Sequence, residues 1–248
     1  MRQTFQYVVS AGVAALLLFG LAERSIPPVA AGPEAASVAF DRFKFSFFKD
    51  PKSAQDVLDT VALEQLQGEE RQRAEDMLIG FLPDSRAVIG LGVLRSQRAK
   101  PRLMALFAGE RVRQAVAVAG FDNDWNPLGI VYLARALWLI DPDPQWPAAA
   151  IDVLRFSKSW TARQEAADTL SGVRDPASVD ALIKALDDGE PLVRFSAARA
   201  LLATYGQPAE PMDPSAVVYR VMSNDAARRA AAKSDILAAI AGHRPAAP

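Results

Sequence analysis

The residues best spaced for chemistry are Asp122, Asp124 and Asn126, which repeat the 1-3-5 ligand pattern of a calcium loop. Such a loop next requires a glycine and closes on a bidentate glutamate at its twelfth position. Pro127 and Leu133 stand there instead, so Asn126 followed by Pro127 reads better as a helix N-cap with a first-turn proline. The one histidine, His243, sits in a C-terminal Gly-His-Arg-Pro-Ala-Ala-Pro tail, a poor place to hold a general base or a metal ligand. Cysteine is absent, which removes disulfides, thiolate metal sites and cysteine nucleophiles. With one His and no Cys, the common zinc, blue-copper and Ser-His-Asp chemistries lack parts. The sequence therefore predicts no catalytic, metal-binding or cofactor-binding residues and a chain that is not an enzyme.

Two basic clusters remain: Arg95, Arg98, Lys100 and Arg102 in one turn, and Arg228, Arg229 and Lys233 near the end. A formal net charge of −1 is wrong for a surface that neutralises phosphates, so these read as solvated turns and no nucleic-acid partner is expected. Half of the 248 residues are apolar and 23% are charged, enough for a substantial core in one elongated domain or two small ones.

What must position any site begins with a leader. Arg2 precedes an uncharged apolar run from Tyr7 to Ala22, followed by Glu23 and Arg24. Its length lies between a signal-peptide core and a bilayer-spanning helix, and Gly20-Leu21-Ala22 and Val29-Ala30-Ala31 offer small-residue cleavage patterns. Residues 1–31 are thus expected to be a signal peptide or an N-terminal anchor with its linker, with membrane contact through residues 5–22. That places the rest in the periplasm or another extracytoplasmic space; a buried core helix, leaving a cytoplasmic adaptor, is the alternative. Pro27, Pro28 and Pro33 make the following stretch a linker. Residues 32–52 then read as an extended Phe-rich arm, because Phe43, Phe45 and Phe47 alternate with polar residues and would share one face. That face either shields the first helix of the domain or meets a partner or the membrane interface.

From Ser53 to residue 242 the apolar spacing is helical. It predicts helices near 53–66, 69–82, 84–95, 99–108, 127–140, 147–156, 161–173, 177–187, 191–205, 214–222 and 225–241, then a disordered tail over 243–248. Residues 109–126 interrupt the period, with room for a short extra helix and a loop. Helix 127–140 is apolar almost all round, so it must be covered on both sides by neighbours, by the arm or insertion, or by a partner.

The helices repeat. Without a gap, Leu91–Phe107 aligns with Leu170–Leu186: Leu91 on Leu170, Leu94 on Val173, Arg95 on Arg174, Leu103 on Leu182 and Met104 on Ile183. The helix ends Ala134-Arg135-Ala136-Leu137, Ala166-Ala167-Asp168-Thr169-Leu170 and Ala198-Arg199-Ala200-Leu201 share a small-residue group before a leucine. They are spaced by about 33 and 31 residues, the range of helical-pair solenoids.

The stretch from Asp180 to Leu202 resembles a HEAT repeat, in particular the short HEAT-like type of the phycobilisome-lyase family. In such repeats an acidic residue in the turn and a basic one six positions later form a ladder between repeats. Asp188 and Arg194 match that pattern, whereas Ser157 and Arg163 keep only its basic half. The resemblance implies an all-α fold, an α-solenoid of about five HEAT-like helix pairs, and a scaffold or accessory subunit that binds protein. It also carries the alternative of a chromophore-lyase-like enzyme. On this register Val131 and Arg135 correspond to Phe195 and Arg199, and these four residues form the expected protein-binding face.

Overall fold

A computed structural model describes residues 36–48, 58–118, 125–207 and 216–242. The leader and its linker, Ser53, Asp122, Asp124 and the tail with His243 lie outside the described residues.

Helices form where local chemistry satisfies their open ends. Asp84 caps α4 (Ser85–Val93) by accepting from the Arg86 and Ala87 N–H groups. Ser159 does the same for α8 (Trp160–Thr169), Asp175 for α9 (Pro176–Ala185) and Asp225 for α12 (Ala226–Ala241). Pro176 and Pro191 open α9 and α10 (Pro191–Thr204), where proline's missing N–H costs nothing. Gly172 reverses the chain after α8 at φ +82°, a conformation that side-chain-bearing residues rarely adopt.

All described regular structure is helical. Pairs are formed by α3 (Gly68–Gly80) with α4, α5 (Lys100–Val118) with α6 (Leu128–Ile140), α7 (Gln145–Phe156) with α8, α9 with α10, and α11 (Val217–Arg220) with α12. Second helices stack in the order α4, α6, α8, α10, α12, and α7 packs on α9, so one hydrophobic seam runs through successive layers. This is an α-solenoid of five pairs, a geometry in which each repeat leans mainly on its neighbours. Small residues let the layers close up. A Cβ on Gly92 would lie 2.7 Å from Ala136 Cα, so α4 and α6 touch backbone to backbone. Among the described residues, no helix is long and apolar enough to cross a membrane.

Two expectations are corrected. The Phe-rich segment is not extended: Val38–Phe48 is helix α1, packed on α2 (Thr60–Gln65). Phe40, Phe43 and Phe47 recur at the helical interval and are buried, whereas Phe45 points away and is 69% exposed. Phe43, Phe45 and Phe47 therefore do not share a face. Fixing the orientation, Phe47 meets Phe81 edge to face at 5.2 Å, and Asp59 holds Arg42 at 2.7 Å while donating its N–H to Ser46 Oγ. The second correction concerns α5, which runs unbroken to Val118 instead of stopping near residue 108. Its last two turns are pinned to α7 by polar contacts, Arg111 to Asp152 at 2.9 Å and Gln114 Nε2 to the Ala149 carbonyl at 3.3 Å. The cover expected for α6 is present: it packs on α4, α5, α7 and α8, so of the covers weighed for it the neighbours and the insertion supply the wrap.

Candidate protein-docking face

Charge networks set the spacing of the repeats before any face is formed. Arg163 on α8 makes a bidentate pair with Asp188 at 2.8 and 2.9 Å, across to the next repeat, and also donates to the Ser157 and Lys158 carbonyls of its own turn. Burial alone would raise the Asp188 carboxyl. The Arg163 hydrogen bonds, the Glu190 N–H and the charges of Arg163 and Arg194 outweigh it and hold the group below its usual range. Arg194 is 3% exposed and donates to five carbonyls: Asp188 and Gly189 in its own turn, Val221, Met222 and Ser223 in the next. Arg229 repeats the motif with Ser223 and Asn224. Where the acidic half is missing, backbone carbonyls replace it, a substitution invisible in the residue pattern.

Against that frame the outer surfaces of α6, α8 and α10 present one mixed cluster. Arg135 is exposed on α6 and holds no ion pair among the described residues. Asp168 on α8 receives Arg199 from α10 at 2.6 Å and the Ser196 hydroxyl at 3.2 Å. The Arg199 guanidinium stands 5.9 Å over the Phe195 ring, which tilts against Tyr219 of α11 at 5.5 Å. Between Arg135 and Arg199 lies Glu165, half-buried and without a hydrogen bond to another described residue. Burial pushes its carboxyl above the usual range and the Asp168 charge adds to this, with Arg135 and Arg199 pulling the other way. Tyr132, half-buried beside it, is raised by burial and by the Glu165 charge.

The expected face is therefore brought together in part. Arg135 and Arg199 are exposed and Phe195 is half-buried; of the three, Arg199 is tied to α8, through Asp168. Val131 is fully buried, because the wrap around α6 encloses it together with Ile130, Leu133 and Leu137. Tyr132 and Glu165 were missed. The register held the signal, since Tyr132 and Glu165 share the offset of Arg135 and Asp168.

Most residues of the basic clusters are committed to neighbours. Arg98 pairs with Glu75 and Asp76, Lys100 with Asp141, and Lys233 with Asp187, while Arg102 donates to the Ile79 and Leu82 carbonyls. Asn126 Oδ1 accepts the Leu128 N–H at 3.0 Å, the capping role expected of it. Among the described residues there is no cluster of acids and histidine able to hold a metal ion. A cavity of about 530 Å³ opens at the end of α5, walled by Val118, Trp125, Val153, Phe156 and Lys158; its one lining aspartate, Asp152, is the group already paired with Arg111.

Because the half-buried Glu165 carboxylate lacks a compensating bond, its ionisation opposes folding. Its pKa is higher folded than unfolded, so the protonated form favours the fold at low pH and that advantage is lost as pH rises through the folded value. Glu165→Gln is expected to raise the thermal midpoint by about 1–3 °C at pH 7 and to leave it unchanged near pH 4. Scanning fluorimetry at the two pH values reads the difference.

The fold defines a helical-repeat architecture. A family profile described as HEAT repeats matches residues 147–236, from the first turn of α7 into α12, and that stretch is similar to HEAT repeats. No curated protein and no solved structure gives a significant match to the chain.

Proposed function

We propose that this chain is a non-catalytic, extracytoplasmic scaffold or accessory subunit that holds a protein partner on the outer surfaces of α6, α8 and α10. HEAT repeats commonly serve protein–protein interaction, and the repeat match covers α8 and α10. One observation carries the reading. Arg135 of α6 and Arg199 of α10 both act on the half-buried Glu165 carboxylate of α8, and Arg199 continues over the Phe195 ring to Tyr219 of α11; Arg135 has no ion pair among the described residues. Arg and aromatic side chains in such a cluster are the usual anchors of protein interfaces, and a carboxylate short of partners gains from a donor that another chain supplies. The likeness of Asp188 and Arg194 to the short phycobilisome-lyase type of repeat enters for the fold alone. Extracytoplasmic placement, exported or tethered to the inner membrane, rests on the apolar run Tyr7–Ala22 behind Arg2.

Affinity capture of the tagged full-length chain from solubilised membranes tests both parts. A specific co-purifying protein is expected, and the double variant Phe195→Ala with Arg199→Ala is expected to reduce its recovery about tenfold or more. Unchanged recovery with the double variant rejects this face. Fractionation that finds the chain wholly in the cytosol rejects the placement.

A further inference from the structure

We propose that the aromatic end of the solenoid, Phe45 and Phe48 on α1 with Phe81 beside them, seats on the surface of an anionic phospholipid bilayer. Phe40, Phe43 and Phe47 fill the core side of α1, so Phe45 and Phe48 are left on its outer side, 69% and 52% exposed. The Phe81 ring stands 5.5 Å from Phe48, edge to face, and is itself about half exposed. Phe48 and Phe81 form an accessible apolar pair at one end of the stack, supported by Phe47, 5.1 Å from Phe48 and itself 5.3 Å from the Arg86 guanidinium, and Phe45 lies three residues before Phe48 on the same helix.

Lipid fits better than a protein groove for two reasons. From Phe40 to Lys52 the sequence carries four cations against two acids; Arg42 is held by Asp59 and Lys44 by Asp41 at 2.9 Å, so the excess lies with Lys49 and Lys52 against Asp50. Aromatic side chains interleaved with a basic excess suit the boundary between acyl chains and anionic headgroups. The second reason is chain length. Only fifteen residues separate Ala22, the end of the uncharged run, from Val38, the start of α1, and they reach about 50 Å at full extension. With that run in a bilayer, α1 stays at high effective concentration next to the same surface, so a contact too weak to recruit a free domain holds a tethered one. The proposal thus rests on reading residues 5–22 as a membrane anchor.

The test uses the full chain reconstituted in vesicles of phosphatidylethanolamine and phosphatidylglycerol, with the photo-crosslinker p-benzoyl-phenylalanine in place of Phe45, Phe48 or, as control, Phe156. Phe156 is comparably exposed, at the C-terminal end of α7. Lipid adducts at positions 45 and 48 are expected to exceed those at 156 about fivefold or more, and Phe45→Glu is expected to cut the adduct at 48 about threefold. A chain that floats with the vesicles yet gives lipid adducts no higher at 45 and 48 than at 156, or gives adducts to another copy of itself, overturns the inference alone. A chain that does not float overturns the anchor reading, and the inference with it.

Discussion

Arg194→Ala is expected to cost about 3–4 kcal/mol, the largest loss from any single polar substitution in the solenoid. The guanidinium is almost fully buried, and burial, the first cause, together with the nearby Arg229 charge, lowers its pKa while Asp188 and Glu190 oppose the change. Its five carbonyl acceptors come from two successive turns, so the side chain acts as a staple between the α9–α10 and α11–α12 pairs. Alanine leaves those carbonyls without their donor in a space too tight for full hydration. Lysine restores a charge but offers a single ammonium in place of a planar fork, so Arg194→Lys is expected to lose about 2 kcal/mol. Denaturant unfolding followed by helical circular dichroism measures both. Hydrogen exchange locates the damage: amides of α12 are expected to lose more protection than those of α7, because each repeat relies on its neighbours. Equal loss along the whole chain would contradict the staple.

A contrast between two helical glycines gives the second large effect. Gly92→Ala would put its Cβ 2.7 Å from Ala136 Cα and 2.9 Å from Ala136 Cβ, and the obstacle is backbone, which cannot rotate aside. Separating α4 from α6 opens this layer of the seam, at an expected net cost of about 2 kcal/mol after the gain in helix propensity. Gly109 lies mid-way along α5, with nothing within 4 Å of a built Cβ. Gly109→Ala is therefore expected to stabilise by about 0.8 kcal/mol, through propensity alone. Opposite signs from one chemical change, read in the same unfolding experiment, separate packing from propensity. If both variants stabilise, the α4–α6 contact is looser than described.

These residues also mark where sequence periodicity succeeds and where it fails. The five pairs were legible because each layer buries a helical stripe and ends in a small-residue group before a leucine, as at Leu137, Leu170 and Leu201. α10 was placed almost to its ends because Pro191 and Gly206 bracket it chemically. The Phe-rich segment misled because Phe43, Phe45 and Phe47 fit a period of two while Phe40, Phe43 and Phe47 fit a helix; only burial chooses between them. The second half of α5 gave no apolar period, since among its residues after Gly109 only Gln114 is buried, and a polar contact to α7 holds it.

From the sequence alone come most of the helices after Ser53, their pairing interval, the missing parts for common catalytic chemistries and the Asp188–Arg194 ladder motif, because each depends on residue type and local spacing. Tertiary structure decided which side chains of α6 remain outside. Val131 and Arg135 look equivalent to Phe195 and Arg199 in register, yet the wrap of α6 by four helices buries Val131 and leaves Arg135 exposed. It also set Glu165 between two arginines without a bond to either, a consequence of how three helices stack rather than of any one helix's sequence.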